Sequence, residues 1–306
     1  MDVTMAPLGC FRWCARWFLL LAWAVSSIAA THVAYASDPD RIVLTVGSSR
    51  NLKTLKEALD VIATARRTMP TSYAIQVDAG TYTDSGLILK QHPLVHSVDI
   101  VGSGPQTVFD GRSNRAFLLR AVGTDGRPLR LRIAKLLIRR YNLAISFYGS
   151  REDPKRYNSS SVVEDVWFDD IGGRGEGTSA TSSTAVLHFV NSKGNTIRNN
   201  RFTRYFNSRG CGAMHALYIA HFSSENKVYR NTFEMSCGDP IRIRDASNDN
   251  QFFDNTFTGT AQNALYTEWY CDRAVQSNCT KQSPECPPLR NNFKLGGATI
   301  TSGSQR

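Results

Sequence analysis

Between Thr184 and Phe293 the chain repeats itself, and this repeat limits the possible folds more than any other feature. The segments TAVLHFVNSKGNTIRNNRF (184–202), HALYIAHFSSENKVYRNTF (215–233) and DPIRIRDASNDNQFFDNTF (239–257) align, and NALYTEWY (263–270) follows them. That last copy resumes at LRNNF (289–293), after a cysteine-rich insertion over 271–288. Successive copies start 31, 24 and 24 residues apart. In this alignment Asn200, Asn231, Asn255 and Asn291 coincide, and Phe202, Phe233, Phe257 and Phe293 coincide two places later. A period of this length, with short β-rich runs and an Asn turn, is the signature of a solenoid. Strands of successive coils would lie about 4.8 Å apart, so identical residues form ladders. One coil cannot bury its apolar face alone and depends on its neighbours. The expectation is an all-β chain: a single right-handed parallel β-helix with a short N-terminal capping helix.

Upstream, residues 51–66 carry Leu52, Leu55, Leu59 and Ile62 on one helical face, with Asn51 as the N-cap. This helix would cover the first coil and protect its open edge. Short runs such as AIQVDAGTY, SVDIVGSG, LRLRIAKLLIRR and SVVEDVWF then alternate with Gly, Asn, Asp and Ser turns. A chain of short strands after one helix argues against a doubly wound α/β fold.

The first 36 residues read as a secretory signal. Arg12 and Arg16 precede the apolar run Trp17 to Ala30, and Ala34-Tyr35-Ala36 is an A-x-A cleavage site. The β-helix domain would then span 37–306, in a secreted or periplasmic protein with no stable membrane insertion after cleavage. Loss of Asp2, Arg12 and Arg16 takes the formal charge from +10 to +9. A basic exported protein attracts anionic polymers, so the expected partner is an acidic polysaccharide or cell-envelope glycan. No zinc-finger or RNP motif points to nucleic acid. A monomer is expected. Cys211, Cys237, Cys271, Cys279 and Cys286 remain after cleavage, and an oxidising compartment favours at least one bridge among them. Asn158-Ser-Ser and Asn278-Cys-Thr are glycosylation sequons in a host that uses that pathway.

The stretch 52–111, through TLKEALDVIA, IQVDAGTY and VDIVGSGPQTVFDG, with LLIRRYNLAISF after it, resembles the pectin-lyase-like parallel β-helix superfamily. The resemblance implies the fold and leaves the chemistry open, because that fold hosts lyases, hydrolases, esterases, epimerases and inert binders. VWFDD (166–170) is similar to a pectate-lyase motif, but Asp170 stands where that family has His. The RxPxxR signature, the polygalacturonase Asp pattern and the methylesterase Gln, Asp and Arg-Pro-Trp motifs have no counterparts.

Strand alternation assigns faces to the repeat. Val186, Leu217, Ile241 and Leu265 would point inward, together with His188 two places on. Leu187, Tyr218, Arg242 and Tyr266 would then point outward, as would Arg244 and Glu268. His215 and Asp239 lie just before their strands, on adjacent rungs about 5 Å apart, so that Asp239 could orient the His215 ring. One outer face would thus hold His215, Tyr218, Asp239, Arg242, Arg244, Tyr266 and Glu268, with Arg242 stacked between two tyrosines.

Those are the parts of a uronic-acid β-elimination site. An arginine pairs bidentately with the substrate carboxylate and acidifies the C5 proton. His215 or Tyr218 serves as general base or acid, while Asp239, Arg244, Tyr266 and Glu268 bind substrate. No cofactor is required; bridging Ca2+ is compatible with acidic polymers, although no compact Asp cluster calls for it. The first alternative is a non-catalytic glycan-binding or structural β-helix. The second is a glycoside hydrolase or epimerase. Hydrolysis ranks lower, because Asp239 and Glu268 would be about 16 Å apart on a straight strand, beyond the usual carboxylate spacing.

Overall fold

What shapes each coil is a set of single residues forced into the left-handed backbone region at its corners. The computed structural model describes residues 41–112, 117–125, 127–173, 185–207, 210–234, 238–259, 265–269, 290–295 and 298–301. They form a parallel β-helix with three faces and one small helix. Face 1 is built from Thr71–Val77, Val95–Gly102, the first halves of Leu131–Arg139 and Val162–Asp169, then Thr196–Arg198, Lys227–Tyr229, Gln251–Phe253 and Asn292–Leu295. Face 2 takes Gly80–Tyr82, Thr107–Asp110, the second halves of the two long strands, then Arg201–Thr203, Thr232–Glu234 and Thr256–Thr258. Face 3 is a seven-stranded sheet running from Leu87–Lys90 through Phe117–Val122, Leu143–Tyr148, Ala185–Val190, His215–Ala220 and Ile241–Arg244 to Tyr266–Trp269. Every strand pairing among the described residues is parallel except the last, where Ala298–Thr301 folds back on Asn292–Leu295.

The bend from face 1 to face 2 places Lys135, Asp165, Asn199, Arg230 and Asp254 at φ 54–57° in successive coils. A single such residue turns the strand without breaking its ladder. The residue after each of the last three is Asn200, Asn231 or Asn255, and their side chains bond in series: Nδ2 of Asn200 to Oδ1 of Asn231, and Nδ2 of Asn231 to Oδ1 of Asn255, both at 3.0 Å. Each oxygen also accepts the backbone N–H of the coil before it. Beneath them Phe168, Phe202, Phe233 and Phe257 stack at 4.9–5.2 Å between centroids.

The predicted ladder is therefore present, with one correction. Asn291 and Phe293 do not extend it. A second ladder, Asn195–Asn226–Asn250–Asn291, runs five residues earlier in each coil, with Nδ2 to Oδ1 distances of 2.7–2.9 Å. Phe293 accordingly pairs with Phe252, not Phe257. Asn-x-apolar occurs twice per coil, and LRNNF matches either copy.

The first coil is capped as expected, by a shorter helix. Helix α1 spans Leu55–Thr64, and Thr54, not Asn51, is its N-cap, accepting from Glu57 N–H at 3.2 Å. The Glu57 carboxylate in turn accepts from the N–H of Lys53, the residue before the cap, which helps fix the start. Leu55, Ala58, Leu59 and Ile62 are buried in the same core as the strands. An additional edge strand, Ile42–Val46, pairs with Thr71–Val77. The proposed leader over 1–36, the insertion over 271–288, Asn278 and four of the five cysteines, all but Cys211, lie outside the described residues.

Candidate functional site

Face 3 carries the candidate residues, and its outward column follows from the pairing register. Arg120 pairs with Ser146, Ser146 with His188, His188 with Tyr218, Tyr218 with Arg242, and Arg242 with Thr267. The interior column beside it is Leu187, Leu217, Ile241 and Tyr266, all buried.

This register agrees with the expected one at Tyr218–Arg242 and differs by one residue on either side. Leu187, not Val186, sits opposite Leu217, because the corner after Val190 turns on one left-handed residue, Asn191. The corners after Ala220 and Arg244 use two, His221-Phe222 and Asp245-Ala246. Tyr266, not Leu265, sits opposite Ile241, because the link from Thr258 to Tyr266 is one residue longer than that from Glu234 to Ile241.

A slip of one residue reverses the face of every side chain in a strand. His188, expected inside, therefore faces outward, and its ring meets Tyr218 edge-on at 5.2 Å. Tyr266, expected outside, is 3% exposed and joins the core. Glu268 shares the interior column with Ile243 and accepts from Asn291 Nδ2 at 2.9 Å. The tyrosine–arginine–tyrosine stack does not form; Thr267 takes the place beside Arg242.

The remaining candidates do converge. Asp239 Oδ2 accepts from Arg242 Nη2 at 2.5 Å and from Thr267 Oγ1 at 2.7 Å. Asp239 contacts His215 through its backbone and not its carboxylate: its carbonyl accepts from His215 Nδ1 at 2.8 Å. That bond fixes the tautomer and leaves Nε2 with its lone pair. Gly238 makes the approach possible. It sits at φ +58°, and a Cβ there would meet the Met214 carbonyl oxygen at 2.2 Å. The His215 ring lies 5.8 Å from that of Tyr218, whose hydroxyl accepts from Arg244 Nη1 at 3.0 Å. Arg244 also approaches Asp245 at 3.8 Å, and Asp245 lies 3.6 Å from His221.

The histidines of this face are poor proton binders. Burial, then the Arg242 guanidinium, pushes His215 down to about 4. Burial, then Arg151, His221 and Arg120, pushes His188 down to about 3. His221 is also lowered by burial, against the opposing pull of Asp245. All three are neutral near pH 7, beside the cationic Arg242 and Arg244.

The sequence reading missed a second charged array, on the outside of face 1. Arg41 and Arg132 meet Asp99 at 2.6 and 3.6 Å, and Arg132 and Arg198 meet Glu164 at 2.6 and 2.5 Å. Arg198 then donates to Tyr229 OH, and Tyr229 stacks on Phe253 at 4.8 Å. Alternating charges at coil-length spacing were its only sequence signal. The sequon residue Asn158 is 0% exposed, donates to the Ala121 carbonyl and accepts from Ser192, so the folded chain presents no acceptor there. Among the described residues no cluster of His, Cys, Asp or Glu is arranged to hold a metal ion.

The chain matches no family model, no curated protein and no solved structure.

Proposed function

We propose that this chain is a secreted, pectin-lyase-like β-helix protein that cleaves an acidic, uronate-containing polysaccharide by β-elimination. The observation that carries this reading is the juxtaposition, on face 3, of Tyr218 with Arg242 on the next rung, Arg244 at its hydroxyl and the buried, neutral His215 beside its ring. Arg242 would neutralise the substrate carboxylate, which stabilises the carbanion character that develops at C5. A base takes the C5 proton, the electron pair forms the C4–C5 double bond, and the C4–O bond breaks. The departing glycosidic oxygen receives a proton. Tyr218, partly exposed, is the group able to meet the sugar, and His215, 1% exposed, stands behind it as the acceptor with a lone pair at Nε2. Asp239 positions both Arg242 and His215. Tyr266 and Glu268 point inward and have no part in this scheme. The reaction needs no redox partner.

The test is incubation with alginate, pectate and a glucuronan while following the ultraviolet absorbance of the unsaturated uronate. Absorbance should rise with one of them, and Arg242→Ala should lower the rate by at least about 100-fold with the circular dichroism unchanged. An undiminished rate in that variant removes Arg242 from the reaction.

A second reading, a glycan-binding protein without turnover, has its own support. Asp239 already occupies part of the Arg242 guanidinium, and the Tyr218 hydroxyl already accepts from Arg244. Measurable polysaccharide binding with no absorbance change on any substrate selects it.

A further inference from the structure

We propose that Arg120 forms a second anion subsite, so that face 3 binds a linear polyuronate lengthwise across its rungs. The proposal rests on the reading of face 3 as a polyuronate site and extends it to a residue four rungs away. Arg120, Ser146, His188, Tyr218 and Arg242 occupy one outward column. At about 4.8 Å per rung, Arg120 and Arg242 lie about 19 Å apart.

Three observations point to a ligand at Arg120. Its guanidinium lies over two rings, Phe117 at 4.7 Å and Tyr148 at 5.6 Å to the centroids. That contact holds the planar fork in place and uses none of its N–H donors. Second, among the described residues no carboxylate lies within ion-pair distance of Arg120, and its buried Nε has no hydrogen-bond partner. Arginines elsewhere on this solenoid, such as Arg132, Arg139 and Arg198, pair with carboxylates. Third, the column between the two arginines is electropositive. The permanent charges that act on His188 are those of Arg151 and Arg120, and each of them disfavours its protonation.

The intervening residues suit a sugar chain. Ser146 is small and only 2% exposed between the larger Arg120 and His188, so a chain along the column would meet those two side chains first. His188, neutral near pH 7, meets the partly exposed Tyr218 ring edge-on. A pyranose repeat is close in length to one rung. Arg120 and Arg242 would therefore hold carboxylates about four sugars apart, each as a forked pair.

The experiment is calorimetric titration of the whole chain with oligogalacturonides, oligomannuronates and oligoglucuronates, short ones of about two sugars and long ones of about six. Arg120→Met removes the charge and keeps an apolar stem against Phe117 and Tyr148. Affinity for long oligomers should fall about tenfold, with affinity for short ones unchanged, and Arg120→Lys should restore part of the loss. An equal loss for both lengths, no loss for the long ones, or a lower melting temperature without a length-dependent loss overturns the subsite. Length-dependent loss with no absorbance change on any polymer keeps the subsite and removes elimination. Turnover without length-dependent loss does the reverse, and no binding of any oligomer by the unaltered chain overturns both.

Discussion

On face 1, Arg41, Arg132 and Arg198 each meet a carboxylate, and Glu164 sits between two of them with its side chain 7% exposed. On face 3, Arg120 meets two rings, Arg244 meets a phenol and lies 3.8 Å from Asp245, and Arg242 bonds Asp239. Both surfaces are the same kind of object, parallel strands with side chains in rows. Face 1 uses its rows to compensate charge along the solenoid, which ties one coil to the next. Face 3 leaves Arg120 without a carboxylate among the described residues, and its three histidines are neutral. A surface that neutralises itself has little left to attract a charged polymer, so the contrast favours face 3 as the place where one binds.

The sharpest way to break this contrast is to unbalance face 1. Glu164→Gln leaves Arg132 and Arg198 without their shared carboxylate. Removing one partner from a buried ion pair costs about 3–5 kcal/mol. The two arginine side chains are 22% and 36% exposed, so solvent screens part of this and about 2 kcal/mol is expected. Urea denaturation measures it, as a lower midpoint with the slope unchanged. Polysaccharide binding should not weaken. A midpoint unchanged within error would mean that the face 1 array adds nothing to stability.

Lowering the pH should separate the two faces. A histidine whose folded pKa is depressed favours folding while it is neutral. For His215 and His188 that contribution is complete above the ordinary histidine value of 6.5 and is lost as pH falls from there through about 4 and about 3. The carboxylates of faces 1 and 2 act later. Burial raises Glu164, but Arg132 and Arg198 outweigh it and hold the group below 4.5. Burial likewise raises Asp110, but Arg140, the Arg112 N–H and Arg139 bring it down to about 2. Their contribution is complete above the ordinary carboxylate range and is lost below it. Stability should therefore fall in two stages, and His215→Gln should make only the stage between pH 6.5 and 4 shallower, with His188 supplying what remains. A variant with the same slope there as the unaltered chain would mean that His215 is not held neutral.

Much of the solenoid was legible because Asn200, Asn231 and Asn255 mark the same corner in each coil, and their phenylalanines follow at a fixed distance. The bonds between successive coils need identical residues in register, so selection for the ladder leaves a visible period. Face 3 lies across two corners whose lengths are free to vary. One left-handed residue at Asn191, against two at His221-Phe222, is enough to exchange Val186 for Leu187 and to turn His188 outward. Nothing in the strand sequences announces that difference, because AVLHFV has apolar residues on both faces. Tyr266 and Glu268 were misplaced for the same reason, one corner further on. The face 1 array stayed hidden because its partners lie on coils of different length, some directly opposite, as Glu164 and Arg198, and some offset, as Arg132 and Glu164: Val162 pairs with Arg132 and Thr196, 30 and 34 residues away.

The smallest effect belongs to Thr267, which the register places where a tyrosine was expected. Its hydroxyl donates to Asp239 Oδ2 at 2.7 Å, the same oxygen that Arg242 contacts. Thr267→Val keeps the branched shape and removes that bond. A hydrogen bond to a charged group contributes about 1.5–3 kcal/mol, but Arg242 stays on the carboxylate, so a loss of about 1 kcal/mol in stability is expected. The informative quantity is the response to polysaccharide. With one donor fewer, Asp239 should hold Arg242 more tightly, and a substrate carboxylate would compete less well for that guanidinium. Binding should therefore weaken about two- to threefold, well under 1 kcal/mol, in a variant that touches no sugar. Unchanged binding would mean that the Asp239 contact does not govern whether Arg242 is available, and the contrast between the two faces would then rest on Arg120.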